Sequence, residues 1–364
     1  MTTAEDLCSL RWDATAGAVA IIDQTLLPHT LRWCHLDSLP DYCHAISSMQ
    51  VRGAPLIGIT AAFGLACALA EDDSADNLER ARASLLATRP TAVNLHWALQ
   101  QLVHEVAHLP EGQRAERALA CALRLREEDI SNCARIGEHG LELLQGLPVE
   151  GRLNVMTHCN AGWLATIQWG TALAPIYKAH AAGLPVHVWV SETRPRNQGM
   201  GLTAWELQQA GVSCTVVADN SCGELMRRGE VDCVLVGSDR TAANGDVCNK
   251  VGTSLKALAA REFGVPFYVA LPVSTIDMAC ACGADIPIEE RDAAEVLGIA
   301  GVDPAGQALE LNLAAAGTRA FNPAFDITTA ELVTALVSER GVIAPGREEI
   351  AALVAGQGFP SNAM

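Results

Sequence analysis

The chain has 364 residues, half of them apolar, with few aromatics and a formal charge of −17. That length exceeds the usual size of one domain, so two are expected, and the apolar half is ample for real cores. The charge excludes nucleic acid and anionic membrane surfaces as partners, because both reward basic patches.

Thirteen cysteines are scattered without a spacing rule. A secreted disulfide scaffold would be short and cysteine-dense. The opening Met1-Thr2-Thr3-Ala4-Glu5-Asp6 is acidic and polar, unlike a signal peptide. The reading is a cytoplasmic chain with reduced thiols, most of them small core residues.

Runs at 18–22 and 31–36 alternate in the manner of a small antiparallel meander. From about 40 to 146 the pattern is helical. The segment 53–70 carries no charge and is long enough for a membrane span. Its Ala/Gly content and Pro55 favour a buried helix instead. A helix opens at 93 after Arg89-Pro90, and 115–144 holds one or two more. His104-Glu105-Val106-Ala107-His108 spells a zinc-protease motif. Pro110 ends that helix at once, and Arg114 stands where a third histidine is needed, so no metal is assigned.

After Leu147-Pro148 apolar runs recur at 153–156, 186–190, 213–218, 231–236 and 265–271. Helical patterns separate them, among them 163–182, 203–210 and 251–263. This alternation predicts βαβ units. The fold class is α/β: a Rossmann-like parallel sheet domain over 148–364. A smaller, mainly helical domain with the meander covers 1–147. Gly199-Met200-Gly201-Leu202-Thr203-Ala204, with Asp219 beyond it, outlines a dinucleotide fingerprint. A long polar stretch separates it from its strand, so it reads as a tightly packed helix start. Cys280-Ala281-Cys282 is too closely spaced for a zinc knuckle.

Polar residues gather after each strand, at one sheet edge where ligands of open α/β sheets bind. Asp239-Arg240 follows the strand 231–236. Asp239 reads either as a functional acid or as a helix cap or ion-pair partner of Arg240. Cys159 is read as the start of a helix that would acidify its thiol, or else as an inert buried cysteine. Lys250 is one of only three lysines, with Lys178 and Lys256. It is placed at a helix start with Gly252-Thr253-Ser254, suited to an anion. Arg52-Gly53-Ala54-Pro55 and Arg89 add positive charge from the first domain. In so acidic a chain, this set predicts a phosphorylated small molecule between the domains.

Several of these strings occur together in one family. They are Val51-Arg52-Gly53-Ala54-Pro55, Arg89-Pro90-Thr91-Ala92-Val93-Asn94-Leu95, Thr157-His158-Cys159-Asn160-Ala161-Gly162 and Glu192-Thr193-Arg194-Pro195-Arg196. Gln198-Gly199, Leu202-Thr203-Ala204-Trp205-Glu206, Asp239-Arg240 through Asn249-Lys250, Ser274-Thr275-Ile276-Asp277, Ile286-Pro287-Ile288-Glu289-Glu290-Arg291 and Asn322-Pro323-Ala324-Phe325-Asp326 complete them. With these the chain resembles the methylthioribose-1-phosphate isomerases of methionine salvage, nearly end to end.

The resemblance implies a catalytic pair, Asp239 and Cys159. It implies substrate binding by Arg52, Gly53, Ala54, Arg89, Gln198, Asn249 and Lys250, a homodimer, and no cofactor. Trp163, Asn197, Met200-Gly201 and Ser238 depart from the family pattern and bear on substrate preference. Ribose-1,5-bisphosphate isomerases and the regulatory subunits of initiation factor two B share the fold. The regulatory subunits lack the Cys–Asp pair, which this chain keeps. The reaction implied is acid-assisted ring opening by Asp239, followed by transfer of hydrogen from C2 to C1. Proton and hydride routes both stand, with Cys159 as base or as charge stabiliser.

Overall fold

The computed structural model describes residues 7–356. The acidic opening segment 1–6, read above as no signal peptide, lies outside the described residues. Strands β1 (Leu10–Asp13), β2 (Ala18–Ile22) and β3 (Trp33–Leu36) form the expected antiparallel meander. Five helices follow: α1 (Leu39–Ser47), α2 (Ala54–Glu71), α3 (Ala75–Thr88), α4 (Val93–Val106) and α5 (Arg114–Gln145).

Local sequence explains these boundaries. Ser74 caps α3 by accepting from Asn77 N–H at 3.3 Å. Pro55 suits the first turn of α2, where its missing N–H costs nothing. Helix α2 is long and apolar enough to cross a membrane, yet most of it is buried inside the protein. It lies at the centre of a core with α1, α3, α4 and α5, which explains apolar residues on every side. Helix α5 is one continuous element of 32 residues.

The second half continues with β4 (Leu153–Thr157), α6 (Ala174–Ala181), β5 (Val186–Ser191), α7 (Ala204–Gln209), β6 (Ser213–Val217), α8 (Cys222–Arg227) and β7 (Cys233–Val236). Then come β8 (Arg240–Ala242), β9 (Val247–Lys250), α9 (Thr253–Glu262), β10 (Phe267–Ala270), β11 (Ile276–Asp277), α10 (Ala294–Leu297), β12 (Gly298–Val302) and β13 (Ala308–Asn312). β14 (Phe325–Thr328), β15 (Ala335–Ser338), β16 (Gly341–Ile343) and α11 (Arg347–Val354) complete the chain.

Seven strands form the main sheet in the order β16-β15-β10-β7-β4-β5-β6. All neighbours are parallel except β16 at the edge. Taken along the chain, the six parallel strands have the doubly wound order, with the reversal between β4 and β7. A small second sheet, β11-β8-β9-β14, stands beyond the ends of β7 and β10. The polar stretch after Asp239 is therefore the hairpin β8–β9 rather than an open loop.

Two sequence expectations are corrected. The helical pattern 163–182 is helical only in its last part. A single 3₁₀ turn, Trp163–Ala165, comes first, and the chain then folds back before α6. Gly162 and Gly170 pair so closely there that a Cβ on Gly170 would lie 2.4 Å from Gly162 Cα. No helix starts at Cys159 either: its φ is +62°, a left-handed conformation that breaks the chain away from β4.

Candidate active site

Strands β4 and β7 are adjacent, and their outgoing segments carry Cys159 and Asp239. The topology thus places both at the reversal point, where a crevice opens. One cleft is lined by Arg52, Gly53, Ala54, Arg89, Cys159, Gln198, Asp239, Asn249 and Lys250. All nine residues singled out from the sequence face it. Met49, His158, Ser238 and Phe325 share its wall.

The backbone at the cleft is held in uncommon shapes. Met49, Cys159, Thr193 and Asn197 all have positive φ, and such residues persist only where the surroundings enforce them. Around Cys159 the enforcement is visible. Its N–H donates to Thr193 Oγ1 at 2.8 Å, and its carbonyl accepts from Thr203 Oγ1 at 2.6 Å. Thr193 is fixed in turn by Asp219, which accepts from the N–H groups of Thr193 (2.8 Å) and Arg194 (2.7 Å). Asp219 therefore organises the turn after β5. A Cβ on Gly199 would meet Ser191 O at 1.7 Å, so the glycine there is a packing requirement.

The charges of the site follow from burial. Cys159 is almost fully buried, which raises its thiol above the usual value, although Arg52 and Lys250 oppose the rise. The acidification expected from a helix start is absent because the helix is absent. Desolvation likewise raises the Asp239 carboxyl, against the pull of Lys250, Arg52 and Arg89. Arg240 does not pair with Asp239. Its guanidinium donates to Thr91 O at 3.0 Å and lies 3.6 Å from Asp277. Burial lowers the Lys250 ammonium. His158 is pushed down to about 3, first by burial and then by Lys256. Its neutral ring donates from Nε2 to Val251 O at 2.8 Å.

Lys250 ends strand β9 and does not sit in the first turn of α9. The α9 start is already occupied: Asp326 accepts from Gly252 N–H at 2.7 Å and from Ser254 N–H at 3.1 Å. The open helix start in the cleft belongs to α2, where Gly53 and Ala54 line the wall beside Arg52. Arg89 reaches the cleft from the end of α3 and pairs with Glu289 at 3.3 Å. Asn249 donates to Thr253 Oγ1 at 3.1 Å. Gln198 Oε1 is buried without a hydrogen-bond partner, an acceptor left open beside the cleft.

Away from the cleft, Glu105 of the zinc-like string is clamped by Arg117 (2.8 Å) and Arg124. Helix α4 ends at Val106, so the two histidines share no helical face. Among the described residues, no cluster of three or more His, Cys, Asp or Glu is placed to hold a metal ion. All thirteen cysteines are free. Sequence reasoning missed Asn160, Thr193 and Glu206 as supports of the site. Their positions inside the recognised strings were the available signal.

The Initiation factor 2 subunit family model matches residues 50–345. The chain is 56% identical over 347 residues to the methylthioribose-1-phosphate isomerase of Dechloromonas aromatica, covering 95% of this chain and 96% of that one. It is 55% identical to the one of Methylorubrum populi, covering 94% of each. The solved 5-methylthioribose 1-phosphate isomerase from Pyrococcus horikoshii superposes with a TM-score of 0.82 at 36% identity, covering 96% of each chain. A structure described as translation initiation factor eIF-2B, subunit delta, from A. fulgidus gives 0.78 at 37% identity, covering 96% of this chain and 99% of that one. The chain belongs to the initiation factor 2 subunit family and, within it, to the methylthioribose-1-phosphate isomerases.

Proposed function

We propose that the chain converts 5-methylthioribose 1-phosphate to 5-methylthioribulose 1-phosphate, an aldose–ketose isomerisation of methionine salvage. The observation that carries this reading is the meeting of Asp239 and Cys159 with three cationic side chains in one cleft. The phosphate is held by Arg52, Arg89 and Lys250 and by N–H groups at the α2 start. Gln198 Oε1 accepts from a sugar hydroxyl, and Asn249 adds an amide contact.

Phosphate on the C1 oxygen prevents spontaneous opening to a free aldehyde. Asp239, whose pKa burial raises, acts as the acid that protonates the ring oxygen, and the bond from that oxygen to C1 breaks. Hydrogen then moves from C2 to C1, and the C2 hydroxyl proton leaves as the ketone forms. Asp239 recovers its proton, so the net change is isomerisation alone. Transfer is by hydride, or by proton through an enediol-type intermediate. A thiol raised by burial is neutral at pH 7, which favours Cys159 as a polarising neighbour over a standing thiolate base. Substrate with deuterium at C2 decides: retention at C1 marks hydride transfer, and wash-out into solvent marks proton transfer.

A side lobe of the cleft is lined by Ile57, Val93, Ile286, Pro287 and Phe325 on one side and by Arg89, Asp239 and Arg240 on the other. Its apolar side suits the methylthio group. We expect kcat/KM for the thioether substrate to exceed that for the bisphosphate, and steady-state kinetics with both sugars checks it. Turnover tests the enzyme reading against a binding module, which would retain the phosphosugar unchanged.

The division into 1–147 and 148–364 is part of the same reading. It is supported by the distinct helical core around α2 and the two cores flanking the main sheet. A homodimer in the cytoplasm completes it, and light scattering on the purified chain tests the dimer.

A further inference from the structure

We propose that Glu206 is a positioning residue that fixes Arg52 for the substrate phosphate through the side chain of Asn160. Glu206 is fully buried on α7. Its carboxylate accepts four bonds: from Asn160 Nδ2 (2.9 Å), Trp163 N–H (3.0 Å), Leu164 N–H (2.9 Å) and Tyr177 OH (2.8 Å). Only an acceptor with two oxygens satisfies such a ring of donors. The loop lies so close that a Cβ on Gly162 would meet Glu206 Oε2 at 1.8 Å.

The bond from Asn160 fixes which way its amide points. With Nδ2 turned to Glu206, Oδ1 faces Arg52 and accepts from Nη1. Arg52 Nη2 donates to the Asn160 carbonyl at 2.6 Å. One residue thus grips both terminal nitrogens of a buried guanidinium. The grip sets the plane of the fork that meets the phosphate, and a preset fork loses less freedom on binding. Burial lifts the Glu206 carboxyl to about 7, despite the donors around it. The charge itself stands behind Asn160 and Arg52, away from the cleft. Its effect on the ligand is therefore passed through geometry.

This inference rests on the reading of Arg52 as a phosphate holder, and the test separates the two. Steady-state KM for 5-methylthioribose 1-phosphate and the inhibition constant of inorganic phosphate are measured in four proteins. These are the parent chain, Glu206→Gln, Arg52→Met and the double variant, with thermal unfolding as a check on folding. Glu206→Gln is expected to raise both constants several-fold to tenfold, with a smaller fall in kcat. In the Arg52→Met background the same change is expected to shift them by less than twofold, because the route through Arg52 is gone. Equal effects in both backgrounds overturn positioning and leave the phosphate assignment standing. A fall in KM for Glu206→Gln also overturns it, since Glu206 would then act only as a repelling charge. Unchanged constants in Arg52→Met overturn both readings. Should Glu206→Gln fail to fold, Asn160→Ala cuts the same link at its middle. It is expected to show the same non-additivity with Arg52→Met, and additivity there overturns the proposal.

Discussion

Cys159 and Asp239 leave adjacent parallel strands at the same sheet edge, and both line one cleft. Burial raises both groups and so favours their protonated forms. Two acids pushed toward their protonated forms beside three cationic side chains suit the proposed delivery of a proton and holding of an anion.

Asp239→Asn keeps shape and removes the donor. Its kcat should fall by roughly two orders of magnitude or more, the usual scale for an acid–base group. The sign of the pH effect follows from the role. A group that must be protonated gives full rate below its pKa and loses rate as pH rises through it. The parent kcat should therefore fall on the alkaline side, and the residual rate of Asp239→Asn should lack that limb. A parent-like kcat in this variant removes Asp239 from the chemistry.

The raised thiol makes a second expectation concrete. Alkylation by iodoacetamide needs the thiolate. Cys159 should react slowly at pH 7 and faster as pH rises, with substrate protecting it. Peptide mass spectrometry resolves it from the other twelve cysteines. Fast labelling at pH 7 would mean a thiolate and would restore the base role. Cys159→Ser should lower kcat by about 100-fold.

The strand-end residues were legible in the sequence because buried parallel strands are short apolar runs whose polar successors stand out. The meander, the helices of the first half and the five strand runs were readable for the same reason. Two local features were not. Residues 163–173 have helical composition, but the close pairing of Gly162 with Gly170 and the bond from Ile167 N–H to Asp129 fold them back. Lys250 has helix-start neighbours, but the β9–β14 pairing keeps it in a strand, and Asp326, from a distant segment, takes the helix end. Glu206 read as one letter of a motif, because its four donors come from two distant segments, the 160–164 loop and α6.

Gly53 should tolerate no side chain. Its φ is +96°, and a Cβ would lie 2.4 Å from Ala165 O. Gly53→Ala should cost about 1–3 kcal/mol of stability from backbone strain. It should also push the α2 start away from Ala165 and raise KM. Denaturant unfolding beside kinetics checks both. An unchanged KM would mean that the α2 start does not touch the phosphate.

The two lysines Lys250 and Lys178 provide a matched pair for locating the phosphate. Lys250 is buried in the cleft wall, with its ammonium over the Phe325 ring. Lys178 lies on α6 over the Trp169 ring, near Glu138 at 3.4 Å. The overall charge of −17 repels an anion, so binding rests on local donors. Lys250→Met removes one of three cations at the phosphate and should raise KM by about 10- to 100-fold, the order of one charge-assisted contact. Some loss of kcat should accompany it, because the anchor also aligns C1. Lys178→Met leaves the cleft intact and should match the parent in both constants. Steady-state kinetics with 5-methylthioribose 1-phosphate reads both variants under one set of conditions. If the two behave alike, the phosphate does not lie between the α2 start and β9.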